Sequence, residues 1–224
     1  IWWMSEAIPL SATSLLPIVL IPMLTDRTVS EATAPYASSI VFLFLGGFLI
    51  AIAMEKWNLH RRIALLTLRK VGVEPKRIVL GMMLATGFLS MWVSNTATTL
   101  MMLPIGLSIL TLVIERSRSG TDAQAEQLAA GGKISDIVED DNIRRFGICL
   151  ILSIAWSATI GGLGTLLGSP PNAIVAGYVA DELGRKIGFL EWMMIGLPLS
   201  LVFILIAWFL MTNVIFRFHL NEVP

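Results

Sequence analysis

The sequence predicts an all-α polytopic membrane protein. Of its 224 residues, 55% are hydrophobic and 14% charged, where a soluble domain carries about 25% charge. Mean hydropathy is +0.78. Apolar runs close to the ~20 residues that cross a bilayer recur along the chain. The loops between them differ sharply in basic residues, as cytoplasmic and external loops do.

The apolar segments follow in order. Residues 8–24 hold Pro9, Pro17 and Pro22, and residues 40–54 hold Gly46 and Gly47. Residues 78–93 and 97–114 form a close pair, the second containing Pro104. Residues 146–168 run into the stretch "GSPPNAIVAG", and residues 192–216 are the longest uninterrupted run. Residues 25–39 carry Arg27 as their basic residue, whereas 55–77 carry Lys56, Arg61, Arg62, Arg69, Lys70, Lys76 and Arg77. Residues 115–145 add Arg116, Arg118, Lys133, Arg144 and Arg145. The positive-inside rule makes the last two loops cytoplasmic and the first external. "NLHRRIALLTLRKVG" spaces basic residues among Leu, Ile and Ala, which suits a helix lying along the cytoplasmic surface; the alternative is an ordinary extension of the preceding span. Residues 115–145 read as a polar cytoplasmic linker. The opening "IWWMSEAIPL" lacks the pattern of a signal peptide and reads as starting partway through a larger protein.

Several functions are excluded on composition. A net charge of zero gives no sign of a nucleic-acid partner. The single cysteine, Cys149, cannot form an internal disulfide. No Cys/His cluster has metal-ligand spacing, and no His, Gly-x-Ser-x-Gly motif or Asp pair suggests an intramembrane enzyme. The acids Glu6 and Glu55 stand at segment ends, so a proton relay through buried carboxylates has no candidates.

Two breaks carry the chemistry. The first is the polar knot "SNTATT", residues 94–99, between two short apolar segments. Sixteen and eighteen residues make helices of about 24 and 27 Å at 1.5 Å per residue, below the ~30 Å core. Two full crossings with a tight external turn fit this pattern, and so does a re-entrant hairpin. The absence of Gly, Pro, Asp and Lys from the knot favours a tip inside the membrane. Thr98 and Thr99 are expected to cap the returning helix. The second break is "LLGSPPNAIVAG". Pro170 and Pro171 remove two backbone donors and disfavour helix at Ser169. This strands carbonyls near Gly164–Gly168, while Asn172 is placed to cap a following short helix. Such backbone survives at membrane depth only inside protein or beside an aqueous cavity. Freed carbonyls and hydroxyls suit a hard cation, and helix N-termini suit an anion. Transporters bind substrate and coupling ions at broken helices of this kind. Ser, Thr and Asn in membrane helices also cap or join neighbours without binding anything; two breaks in adjacent segments weigh against that alternative.

"WWMSEAIPLSATSLLPIVLIPML", "SNTATTLMMLPI" and "GGLGTLLGSPPNAIVAG" together resemble the divalent anion:sodium symporter family over nearly the whole chain. The resemblance implies one half of an inverted-repeat elevator transporter, with a re-entrant helical hairpin and a broken helix. Residues 1–71 would be scaffold helices plus the surface helix. Residues 72–216 would be half of the transport domain: hairpin 78–114, linker 115–145, broken helix 146–180 and last span 192–216, with 217–224 a tail. It implies sodium bound by Ser90, Ser94, Asn95 and Gly168. Asn95 and Thr96 would donate to a substrate carboxylate, while Ser169, Pro170, Pro171 and Asn172 hold the break. The expected cargo is a small di- or tricarboxylate anion with sodium as coupling ion and no other cofactor. The alternatives are a sodium-independent exchanger of the same fold and a symporter of sulfate or another divalent anion. The expected partners are the lipid bilayer, the second repeat of the same protein and a second copy in a homodimer. The expected location is the bacterial inner (plasma) membrane.

Overall fold

The computed structural model describes Ser5 and residues 7–72, 74–116, 127 and 131–220. Every regular element among them is helical. Four stretches are long and apolar enough to cross a membrane: Val29–Lys56, Asn95–Glu115, Asp141–Gly164 and Phe189–Ile215. The protein is thus an integral membrane protein of several spans. The chain divides into two compact units, residues 1–46 and 47–224.

The first unit begins with α1 (Leu10–Leu24), an apolar helix of 15 residues that tolerates Pro17 and Pro22 inside it. Leu15, Val19, Met23 and Leu24 on α1 are exposed, as residues facing lipid must be. At about 22 Å it is shorter than the bilayer core. The turn that follows is capped reciprocally. Thr28 N donates to Glu31 Oε2 at 2.8 Å, and Glu31 N donates to Thr28 Oγ1 at 3.3 Å. Tyr36 Oη then donates to the Ser14 carbonyl at 2.5 Å, fixing this turn on α1. α2 (Ser39–Lys56) carries the chain into the second unit.

The second unit is built on a helical hairpin. α3 (Leu59–Val71) turns off α2 at Asn58, whose φ of 50° lies in the left-handed region that Asn tolerates. α3 runs beside α4 (Pro75–Ser90), with Leu68 and Val71 lying over Gly81. So the segment expected to lie along the membrane surface packs against the hairpin. The partner of α4 is α5 (Asn95–Arg116), which starts two residues earlier and ends two later than its apolar run. α4 has 16 residues and α5 has 22, so the hairpin arms are unequal.

α6 (Asp141–Gly161) packs against both arms. Asp140 starts it by accepting from Asn142 N at 2.8 Å and Ile143 N at 3.0 Å. Asp141 then pairs with Arg144 and Arg145. The helix therefore begins in polar sequence five residues before the apolar run. Most of the linker expected over 115–145 lies outside the described residues.

The core lies where α4, α5, α6 and α8 (Phe189–Leu210) meet. Val79, Met82, Met83, Met102, Leu110, Phe146, Leu150 and Ile154 are fully buried there. Glycines set the closest approaches, as in many membrane helix pairs. A Cβ at Gly161 would collide with the backbone of Gly87. A Cβ at Gly106 would meet Ile154, and one at Gly147 would meet Leu110. α8 stays largely exposed and apolar on its other sides, through Met194, Ile195, Val202, Ile206 and Phe209. Its end is tied down by Trp208 Nε1, which donates to the Lys76 carbonyl at 2.8 Å, and by Lys76 Nζ, which donates to Asn213 Oδ1 at 2.7 Å. Residues 217–220 fold back, burying Phe218 edge-on to Phe146 at 5.5 Å between ring centroids.

Candidate functional site

The two breaks meet each other. α4 ends in a tight turn in which Trp92 N and Val93 N both donate to the Leu89 carbonyl, at 3.0 and 3.1 Å. Ser94 then caps α5, its hydroxyl accepting from Ala97 N at 3.3 Å. Capping therefore falls to Ser94 rather than to Thr98 or Thr99. Thr99 instead bonds back to the Asn95 carbonyl at 2.8 Å, within the helix. A hydroxyl can cap only from the residue that precedes the helix, and α5 begins at Asn95.

In the second break, α6 tightens into a single 3₁₀ turn, Gly162–Gly164, before the chain becomes extended at Thr165. α7 (Pro170–Leu183) starts on Pro170 with Ser169 as its N-cap residue, and the Ser169 side chain makes no capping bond. Pro at the first helical position loses nothing, because its missing N–H would have had no helical partner. Asn172 does not cap. It lies inside α7, is 5% exposed, and donates backwards through Nδ2 to the Gly162 and Thr165 carbonyls, both at 2.8 Å. Two of the carbonyls stranded by the break are satisfied this way. Trp192 Nε1 on α8 satisfies a third, that of Leu163, at 3.0 Å.

Thr165 joins the breaks. Fully buried, it donates to the Met91 carbonyl at 2.5 Å and accepts from Gly168 N at 3.0 Å. Nothing in the sequence had singled it out. The available signal was a hydroxyl three residues before Gly168, inside a segment too greasy to need one.

Around Asn95 the polar atoms converge. One terminal atom of its side chain lies 2.8 Å from Ser90 Oγ, 3.1 Å from the Ala158 carbonyl and 3.2 Å from the Gly168 carbonyl. All three can accept, so the amide nitrogen belongs at this position. Its two hydrogens face three oxygens. Two glycines make room. A Cβ at Gly162 would approach this same side-chain atom of Asn95 at 2.5 Å, and one at Gly168 would approach the Gly162 carbonyl at 2.5 Å and the Ser90 carbonyl at 2.8 Å.

Ser90, Asn95 and Gly168 are therefore brought together, with Ala158 as a member that sequence reasoning missed. A backbone carbonyl leaves no mark on residue type. Ser94 and Thr96 stand exposed beside the cluster, as do Pro170 and Pro171, and Ser169 is half-buried. Among the described residues no group of three His, Cys, Asp or Glu side chains could hold a metal ion. A cation here would be held by neutral oxygens at the C-terminal end of α6, the negative end of its dipole. The N-terminus of α5 borders the same region, and the positive end of its dipole suits an anion; α7 starts on Pro170 and Pro171, which have no N–H to offer, and Asn172 N is bonded to the Ser169 carbonyl at 3.1 Å.

The family described as "Citrate transporter" matches residues 1–220. This chain belongs to that family. It is also similar to the sodium-dependent dicarboxylate transporter SdcS of Staphylococcus aureus strains COL, N315 and MW2, with 43% identity to each over 223 residues. The match covers 100% of this chain and 40% of each relative. The citrate transporter family and these relatives are transporters, not enzymes, which agrees with the resemblance read from the three motifs.

Proposed function

We propose that the chain is the first inverted repeat of a sodium-coupled transporter of di- or tricarboxylates, with α4 and α5 as a re-entrant hairpin. The carrying observation is the convergence of Ser90 Oγ, the Ala158 and Gly168 carbonyls and the Asn95 amide. Oxygen ligands without a carboxylate suit sodium, and the relatives are named as sodium-dependent dicarboxylate transporters. Sodium turns the Asn95 amide over, so that its oxygen joins Ser90 Oγ and the Gly168 carbonyl around the ion and its N–H₂ is freed, with Ser94 at the rim. A cation so held, without a counter-charge, favours an anion at the neighbouring N-terminus of α5. Asn95 and Thr96 donate to one carboxylate of that anion. The coupling is reciprocal: substrate raises sodium affinity by the factor by which sodium raises substrate affinity. The second repeat supplies the other half of the substrate site. In the bacterial plasma membrane two copies form a dimer, and each carries its transport domain past its scaffold in an elevator motion.

The test uses the intact protein in proteoliposomes. Asn95→Ala abolishes sodium-dependent succinate or citrate uptake while the protein stays folded. Unchanged uptake with unchanged sodium dependence would refute the site. Uptake that persists when choline replaces sodium identifies the exchanger instead.

A further inference from the structure

The carbonyls of the second break divide into two groups. Asn172 Nδ2 holds those of Gly162 and Thr165, and Trp192 Nε1 holds that of Leu163. The Gly168 carbonyl instead faces the Asn95 side chain, as Ser90 Oγ does. Gly168 and Ser90 also meet through their backbones, since a Cβ on Gly168 would come within 2.8 Å of the Ser90 carbonyl. Thr165 stands next to this contact on both sides. Its hydroxyl donates to the carbonyl of Met91, the residue after Ser90, and accepts from the N–H of Gly168 itself, and both bonds are buried. Met91 is seated by its side chain as well, whose Cε lies 2.9 Å from where a Cβ on Gly164 would stand. Thr165 is fully buried, and its own carbonyl is one of the two that Asn172 holds.

We propose that Thr165 is a positioning residue for the cation site, whose hydroxyl holds Ser90 and the Gly168 carbonyl at the spacing that sodium needs. The inference rests on the function proposed above. Ser90 and Gly168 belong to segments far apart in sequence, and oxygen sites select among hard cations by cavity size, ligand number and flexibility. A backbone carbonyl moves only with its backbone, so the Gly168 ligand is as well placed as the peptide that carries it. Thr165 pins that peptide at its N–H and pins the end of α4 at the Met91 carbonyl, with one oxygen for both. Its single proton is spent on Met91, so it acts on the ion through Met91 and Gly168. Without the hydroxyl the two segments are free to part at this point, and the site binds sodium less tightly.

The intact transporter is reconstituted in proteoliposomes as wild type, Thr165→Ser and Thr165→Val. The sodium KM of uptake, the substrate KM at saturating sodium and the unfolding temperature are measured for each, with succinate or citrate as substrate. Thr165→Val is expected to raise the sodium KM several-fold and to leave the substrate KM at saturating sodium near wild type. Thr165→Ser keeps the hydroxyl and is expected to keep the wild-type sodium KM. A hydroxyl that serves the fold alone gives a different result: a lower unfolding temperature and less active protein, with the sodium KM of the folded fraction unchanged. That result overturns the proposal, and so does a sodium KM raised equally in Thr165→Ser and Thr165→Val. If Thr165→Val does not fold, Thr165→Cys replaces it, because a thiol is a weak donor and a weak acceptor. It is expected to raise the sodium KM, and an unchanged sodium KM overturns the proposal. A wild type whose uptake ignores sodium overturns the proposed function and this inference with it. A sodium-dependent wild type with an unaltered KM in the variants overturns this inference alone.

Discussion

Thr165 reaches the Met91 carbonyl across 74 residues of sequence and binds Gly168 N with the same oxygen. A single hydroxyl thus closes the hairpin turn against the broken helix, between Met91, which follows Ser90, and Gly168, whose carbonyl faces Asn95.

Thr165→Val removes that hydroxyl at nearly constant volume and leaves the Met91 carbonyl and Gly168 N buried without it. Unsatisfied buried groups cost about 1–3 kcal/mol each. The expected result is a lower unfolding temperature for the intact protein in detergent, with Thr165→Ser close to wild type. Equal stability of the Val and Ser variants would show that the hydroxyl contributes nothing.

Gly161→Ala places a methyl group against the backbone of Gly87, which cannot turn aside. Gly106→Ala meets the Ile154 Cδ1 atom at 2.7 Å, the movable end of a flexible side chain. Overpacking costs about 1–3 kcal/mol where nothing can yield. Gly161→Ala is therefore expected to destabilise clearly more than Gly106→Ala, as read by thermal unfolding of the two variants side by side.

Asn172→Asp is nearly isosteric yet presents a carboxylate oxygen to the Gly162 and Thr165 carbonyls where an N–H₂ group now donates. Three acceptors then share a buried site, and the cost exceeds that of simply losing a hydrogen bond of about 1 kcal/mol. Asn172→Asp is expected to be less stable than Asn172→Ala. The reverse order would mean that the amide does not hold the break.

Much of this was legible beforehand, for physical reasons. Lipid demands apolar side chains over long runs, so the spans could be read from hydropathy alone. Pro170 and Pro171 forbid backbone donation, so the break could be placed to within a few residues. The ends were harder to read. α5 begins at Asn95 because Ser94 caps it, and α6 begins at Asp141 because Asp140 caps it; both starts lie in polar sequence that a hydropathy reading discards. Asn172 was expected to serve the helix ahead, but it serves the carbonyls behind, a choice made by the path of the chain from Gly162 to Ser169. The Ala158 carbonyl and the Thr165 bridge depend on contacts between distant segments, which residue types do not encode.

The bond from Trp192 to the Leu163 carbonyl has an optical consequence. An indole N–H held by a carbonyl of the broken helix senses the polarity and geometry of that helix in its excited state. Any rearrangement of the break that lengthens this bond alters the light Trp192 emits. The protein thus contains its own fluorophore at the edge of the cluster, and Trp192→Phe tells that emission apart from the rest.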